Sequence, residues 1–289
     1  MHVTGPVPAR IAAELERDFD LVDDAAGADG VLALLSTTVD DAYLESAGPQ
    51  LKVVANYGVG VNNVDLDAAR RRGVVIANTP DVLTRTTAEL AITIMLALMR
   101  RVAEGDRMLR RHDPWQFSLE FMLGESLDDK TLLIVGPGRI GRETARLAEA
   151  FGATAIYAGR RDPLPELLAR ADVVSLHCPL TPETHHLIDA AALAHMRPTA
   201  VLVNTARGPV VDEAALVHAL RTGVIAGAAL DVFEFEPAVT EELLAMENVV
   251  LSPHLGSATR RTREAMGMLA VDALRAVLLE NRRPANAVV

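Results

Sequence analysis

The sequence predicts an α/β protein of two parallel-sheet domains, the first discontinuous and the second doubly wound. Short apolar runs alternate with helical patterns along all 289 residues, the mark of repeated βαβ units. A glycine turn, Gly136-Pro-Gly138-Arg-Ile-Gly141, directly follows the apolar run 132–135 and opens a helical pattern, so a second βαβ series begins near mid-chain. The length is enough for two buried cores. Hydrophobic residues make up 50% of the chain and aromatic ones only 3%, so those cores must be built from Ala, Val, Leu and Ile.

In the first series, strands are expected at 2–4, 30–35, 51–56 and 74–77, with helices at 7–19 and 65–72. Gly73 stops the second helix. Residues 86–110 read as one long helix, apolar on most faces to about Val102. Such a helix needs cover, from its own domain or from a second copy of the chain. The tract 111–129, with Pro114 and Trp115, reads as loop. In the second series strands are expected at 131–135, 154–158, 172–177, 200–204, 226–231 and 249–252, with the clearest helices at 140–151 and 212–221. The last helix, 260–280, returns to the first domain. The expected domains are therefore 1–83 with 262–289, and 84–261.

The formal net charge is −11 and the pI about 5.2, which disfavours nucleic acid and anionic membranes as partners. Any site for an anionic small molecule must then be locally basic. Lys52 and Lys130 are the only lysines, so Arg supplies nearly all positive charge. Cys178 stands alone, which rules out an intrachain disulfide and a cysteine metal cage; no metal is expected. The first residues lack the basic and apolar regions of a signal peptide, and the most apolar window, 90–99, is too short to span a bilayer. A soluble, cytoplasmic protein is the expectation.

Within the glycine turn, Gly136 permits a tight bend, Gly138 lets the backbone approach a pyrophosphate, and Gly141 lets helix pack on strand. This makes the second domain a Rossmann-like dinucleotide-binding unit. The strand expected next ends Gly159-Arg160-Arg161, where an NAD-preferring site carries an acid. The missing acid and the arginine pair point to NADP(H), with NAD(H) also possible. Further on, three strand ends carry Asn204-Thr-Ala-Arg207-Gly208, Asp231-Val-Phe-Glu234-Phe-Glu236-Pro237 and Ser252-Pro-His254. Together they offer a guanidinium, a carboxylate and an imidazole, enough to bind a 2-oxo acid, polarise its carbonyl and supply a proton.

With these blocks the chain resembles the D-isomer-specific 2-hydroxyacid dehydrogenases, most closely their glyoxylate/hydroxypyruvate reductase branch. The likeness runs from about Leu51 to the C-terminus. It includes Tyr57-Gly-Val-Gly60, Asn78-Thr-Pro80, Val82-Leu-Thr-x-x-Thr-Ala-Glu89, the glycine turn, His177-Cys-Pro-Leu-Thr-Pro182 and the three blocks above. The resemblance implies two Rossmann-like domains, a homodimer, and reduction of a small 2-oxo acid by NADPH in a cleft that closes against water. It implies that Arg207 holds the substrate carboxylate and carbonyl oxygen, that His254 is the general acid/base, and that Glu236 pairs with His254 and favours its imidazolium form. The amides of Val59 and Gly60 would complete the carboxylate cradle. The amides of Arg139 and Ile140 would meet the pyrophosphate beside Gly136, Gly138 and Gly141, and Asp231 the nicotinamide carboxamide. Thr79, Thr86, Cys178, Thr184 and Thr205, with Ala206 and Gly256, would line the cofactor groove, and Arg160 with Arg161 would take the 2′-phosphate.

Each residue also has a plainer reading. His254 could cap a loop, and Asp231 could merely close a strand. His177, His185, His186 and His195 read as surface or locally hydrogen-bonded groups. Glu234 competes with Glu236, but the carboxylate next to Pro237 matches the family position, leaving Glu234 as solvated. The chain departs from the family at Asn62, Pro137 and Cys178. The stretch 161–171 is also short, so one sheet strand and part of the adenosine wall are expected to be missing. Phosphoglycerate-type dehydrogenases are the nearer rival reading, and dinucleotide-sensing corepressors of the same fold the non-enzymatic one.

Overall fold

The computed structural model describes residues 1–289, which divide into two compact units, Met1–Leu83 with Ser257–Val289, and Thr84–Gly256. The first unit holds a parallel sheet in the order β1-β2-β3-β4: His2–Val3, Gly30–Ala33, Val53–Asn56 and Val75–Ala77. Every residue of β2 and β3 is buried, as in parallel strands covered on both faces. The cover comes from α1 (Ala9–Asp18), α2 (Asp41–Ala47), α3 (Leu66–Arg72) and the C-terminal α11 (Arg260–Leu278). Arg275 of α11 reaches both Glu14 and Asp18 of α1, which fastens the returning helix. Helix α2 was not foreseen; Asp40 starts it by accepting the Tyr43 N–H at 2.8 Å.

The second unit is a six-stranded parallel sheet in the order β10-β9-β8-β7-β5-β6. Its strands are β5 (Thr131–Val135), β6 (Thr154–Ala158), β7 (Val173–Leu176), β8 (Val201–Asn204), β9 (Gly227–Leu230) and β10 (Val249–Leu251). Its helices are α4 (Thr84–Met99), α5 (Val102–Arg110), α6 (Arg139–Glu149), α7 (Leu164–Leu168), α8 (Ala190–His195), α9 (Glu213–Thr222) and α10 (Glu241–Leu244). The chain winds outward in two directions from β5, to β6 on one side and β7 on the other. In a doubly wound sheet, ligands bind outside the carboxyl ends of the strands at such a switch point. Between β6 and β7 lies only α7, so the sheet ends at β6 where the usual doubly wound order would add a strand.

The expected helix over 86–110 is in fact two. Arg101 sits in the left-handed region at φ 53°, its guanidinium held by Glu104 at 2.6 Å and 2.8 Å. The Met99 carbonyl takes the Glu125 N–H instead of continuing the helix. The apolar face of α4 is core of its own unit, with Met95 fully buried against the sheet and α6. The apolar side chains without cover lie beyond the break, in α5 and the following tract. Phe117 is 79% exposed and Leu119 88%. The return to the first unit was expected at 262; the division falls between Gly256 and Ser257. The lead-in travels with α11 because Thr259 caps that helix, accepting the Thr262 N–H.

Candidate active site

The glycine turn leaves β5 through Gly136, at φ 91°. A Cβ there would lie 2.5 Å from the Cys178 amide nitrogen, so only glycine fits. Gly138 begins α6 without any side-chain cap, and a Cβ on it would meet nothing within 4 Å. Space for an anion therefore lies beside the first amides of α6, including those of Arg139 and Ile140. The hydroxyl of Thr205, at the end of β8, is buried without a hydrogen-bond partner, as is that of Thr79 in the first unit. Orphaned buried hydroxyls are rare, and that of Thr205, in the same unit as the open glycine turn, fits a dinucleotide there.

Other expected groove residues have structural partners. The Thr184 hydroxyl donates to the Pro179 carbonyl at 2.7 Å and builds that turn. Burial pushes the Cys178 thiol up to about 11, so it is a neutral wall residue. Thr86 is half-buried near the start of α4. At the end of β6, the exposed Arg160 pairs with Glu183 at 3.1 Å, and the Gly159 N–H donates to Asp162 at 2.7 Å. Arg161 is exposed.

The loops after β8, β9 and β10 bring Arg207, Glu236 and His254 into one unit. Asn204 shapes the first loop: its side chain accepts the Ala206 N–H at 3.0 Å and donates to the Arg207 carbonyl at 2.9 Å. The Arg207 guanidinium donates to the Ala206 carbonyl, and burial lowers its pKa from the ordinary arginine value. Gly208 then presses against the second loop, where a Cβ would lie 1.8 Å from the Phe233 carbonyl oxygen.

In the third loop, His254 occupies the left-handed region at φ 55°. Its Nδ1 lies 2.9 Å from Glu236 Oε2, which leaves Nε2 as the nitrogen available to another group. Glu236 Oε1 accepts the Phe233 N–H at 2.9 Å. Burial pushes the Glu236 carboxyl up. The hydrogen bonds from His254 and Phe233, with the charges of His254 and Arg207, pull it further down, so it lies below the usual range.

Asp231 is fully buried. Its carboxylate accepts the Ser252 hydroxyl at 2.6 Å, the Leu255 N–H at 2.7 Å and the Gly256 N–H at 2.8 Å, and its carbonyl accepts the His254 N–H. Burial nonetheless raises its pKa. It fastens the histidine loop to β9, a task that Ser252 shares and that sequence reasoning did not assign, as it did not assign to Asn204 the shaping of the Arg207 loop. The available signal was their type: Asn and Ser after a strand commonly bond nearby backbone.

The expectation that Glu234 is solvated is corrected. Its side chain is 13% exposed; Oε1 accepts from His186 Nε2 at 2.6 Å and Oε2 from the Glu213 N–H at 3.1 Å. His177 bonds Ser175 at 2.8 Å, and burial pushes its imidazole down to about 4, so it is neutral. Val59 and Gly60 lie in the first unit, where Asn78 and Asn56 hold their carbonyls. A cavity of about 610 Å³ opens at the opposite, amino end of the six-stranded sheet, lined by Met99, Lys130, Val201 and Val250 among others. None of the loops just described lines it.

Residues 92–256 match the family profile described as D-isomer specific 2-hydroxyacid dehydrogenase, NAD binding domain. The chain is 46% identical over 268 residues to a glyoxylate reductase of Thermococcus litoralis, covering 86% of this chain and 80% of that one. It is 44% identical over 301 residues to the glyoxylate reductase of Pyrococcus furiosus, covering 93% and 89%. Among solved structures, a Thermus thermophilus protein superposes with TM-score 0.92 at 42% identity, covering 100% and 99%. An NADPH-dependent glyoxylate/hydroxypyruvate reductase from Sinorhizobium meliloti, in complex with NADP and malonate, gives 0.89 at 36%, covering 100% and 96%. The chain belongs to the D-isomer specific 2-hydroxyacid dehydrogenase family and is an NAD(P)-dependent oxidoreductase acting on CH–OH groups.

Proposed function

We propose that the protein reduces a small 2-oxo acid of the glyoxylate or hydroxypyruvate kind to the 2-hydroxy acid with NADPH, using Arg207, Glu236 and His254. The observation that carries this reading is the 2.9 Å Glu236–His254 contact on loops that abut the loop of Arg207. Relatives named glyoxylate reductase, at 44–46% identity, support the substrate class.

The dinucleotide supplies the hydride when bound. Arg207 binds the substrate carboxylate and carbonyl oxygen. Its fixed positive charge, half-buried, stabilises oxygen more as negative charge develops there. His254, oriented through Nδ1, donates the proton on Nε2 to that oxygen. Glu236 stays ionised across the working pH range, since its carboxyl lies below the usual range, and favours the charged imidazole that must donate.

Two finer features belong to the same proposal. Gly159 presents no side chain against a 2′-phosphate, and the exposed Arg160 can turn from Glu183 towards one, which supports NADPH over NADH. The uncovered apolar side chains of α5 and the tract after it, Phe117 and Leu119 above all, support a homodimer in which a second copy covers them. No helix is long and apolar enough to cross a membrane.

The deciding experiment is a panel of 2-oxo acids assayed with NADPH and with NADH by loss of reduced-nicotinamide absorbance. Glyoxylate and hydroxypyruvate should rank first by kcat/KM, with NADPH ahead. Absence of turnover with every 2-oxo acid would overturn the proposal.

A further inference from the structure

We propose that His185, His186 and Glu234 form a binding site for a divalent transition metal, of which zinc best matches the donors. One ligand atom from each of the three lies within 4.8 Å of the other two. The two imidazoles stack with centroids 4.1 Å apart and planes inclined by 28°. Consecutive side chains on extended backbone point to opposite sides. Here residue 186 adopts φ 50°, which puts both rings on one side. That conformation costs a non-glycine residue about 1–2 kcal/mol. It is held by the His185 N–H on the Thr181 carbonyl and the His186 N–H on the Pro209 carbonyl.

The carboxylate is prepared in the same way. Glu234 Oε2 accepts the Glu213 N–H, so Oε1 is the oxygen turned to His186, 2.6 Å from Nε2. Behind the ring, Asp212 Oδ2 stands 3.9 Å from Nδ1. The Glu234 and Asp212 carboxylates stand 2.6 Å and 3.9 Å from the two nitrogens of the His186 ring, so two negative charges face the cluster and a dication would balance them. Two imidazoles and a carboxylate suit zinc over magnesium or calcium, which take oxygen ligands. Three protein ligands leave the fourth position to water. His185 is exposed, so an ion can enter from solvent, displacing the proton shared by His186 Nε2 and Glu234 Oε1 and widening their 2.6 Å contact to the spacing of two zinc ligands.

The cluster is separate from the catalytic one: the partners of Glu234 are His186 and Glu213, whereas those of Glu236 are Phe233 and His254. An ion there would tie the turn at 181–188 to the loop that carries Glu236.

The test is calorimetric titration of chelator-treated protein with zinc chloride, alongside the visible spectrum after cobalt(II) loading. The wild type should bind one zinc per chain and give the intense bands of a tetrahedral cobalt centre. His185→Ala, at an exposed position, should fold normally, weaken zinc at least tenfold and lose those bands, with turnover of 2-oxo acid unchanged. Absence of binding by the wild type would overturn the proposal, as would a zinc affinity and cobalt spectrum unchanged in His185→Ala.

Discussion

Gly208→Ala is the sharpest test of how the catalytic loops are held. The added methyl would lie 1.8 Å from the Phe233 carbonyl oxygen, 1.9 Å from its carbon and 2.4 Å from the Glu234 nitrogen. All three are backbone atoms, so no side chain can rotate away. A carbon–oxygen contact relaxes at about 3.3 Å, so the two loops must part by about 1.5 Å. One loop carries Arg207 next to the mutated residue. The other carries Glu236, held by the Phe233 N–H at 2.9 Å, and through Glu236 it orients His254. Misplacing reacting groups by about 1 Å costs on the order of 100-fold, or about 2.7 kcal/mol of transition-state stabilisation.

The expected result is a fall in kcat/KM for 2-oxo acid of about 100-fold. Overpacking should lower stability by only about 1–3 kcal/mol, so the variant should still fold. NADPH binding, followed by fluorescence titration, should change little, because the glycine turn at 136–141 is untouched. Gly105→Ala is the control: its methyl would meet only the end of Met122, at 3.7 Å. Wild-type kcat/KM in folded Gly208→Ala would refute the reasoning.

Other expectations follow from the same geometry. His254→Ala should remove most turnover of 2-oxo acid while leaving NADPH binding nearly intact, and full turnover would exclude His254 as the proton donor. Glu236→Gln removes the carboxylate that holds His254 Nδ1 at 2.9 Å, so kcat/KM for 2-oxo acid should fall, and an unchanged value would exclude Glu236 as the partner. Gly159→Asp combined with Arg160→Ser should erase or reverse the NADPH preference in kcat/KM; an unchanged ratio would place 2′-phosphate recognition elsewhere. Light scattering at micromolar concentration should give a dimer mass, and paired substitution of Phe117 and Leu119 by Ser should shift it towards monomer; a wild-type monomer mass would contradict the dimer. Asp231→Asn should lower the melting temperature even without cofactor, because the amide cannot accept all three donors of the histidine loop; an unchanged melting temperature would reduce Asp231 to a cofactor contact.

What could be read from the sequence follows from the range of the interaction involved. The strands at 131–135 and 201–204 are apolar runs closed by Gly or Asn, and their positions depend on neighbours in sequence. So do the cap at Asp65 and the stop at Gly73. The α4–α5 break was illegible because nothing local marks Arg101; it depends on Glu125 bonding Met99 from across a loop. Helix α2 is only seven residues of mixed character, too short for periodicity to declare itself. The role of Glu234 was hidden for the same reason as the break, since its histidine partner lies 48 residues away.

The same distinction explains why motifs single out the proposed catalytic trio while the groups that support it carry no such mark. Arg207, Glu236 and His254 follow strand ends, where a side chain can face a ligand while its backbone is held by the sheet. Holding three such loops in register needs polar groups turned inward, and each inward group must find its donors or cost stability. Asn204 satisfies one loop within itself. Asp231 joins the end of β9 to the histidine loop through three donors. Glu213, buried within α9, accepts the Glu234 N–H at 3.3 Å and the Thr240 hydroxyl at 2.6 Å, so it spans the loop that carries Glu236 from both sides. Burying Asp231 raises its pKa, and the three donors pull against that rise. Those donors tie Asp231 to the loop whose His254 backbone is held in a left-handed conformation that an isolated histidine would avoid. The geometry that the proposed proton transfer needs is thus fixed by acids and amides whose own partners are backbone and neighbouring side chains.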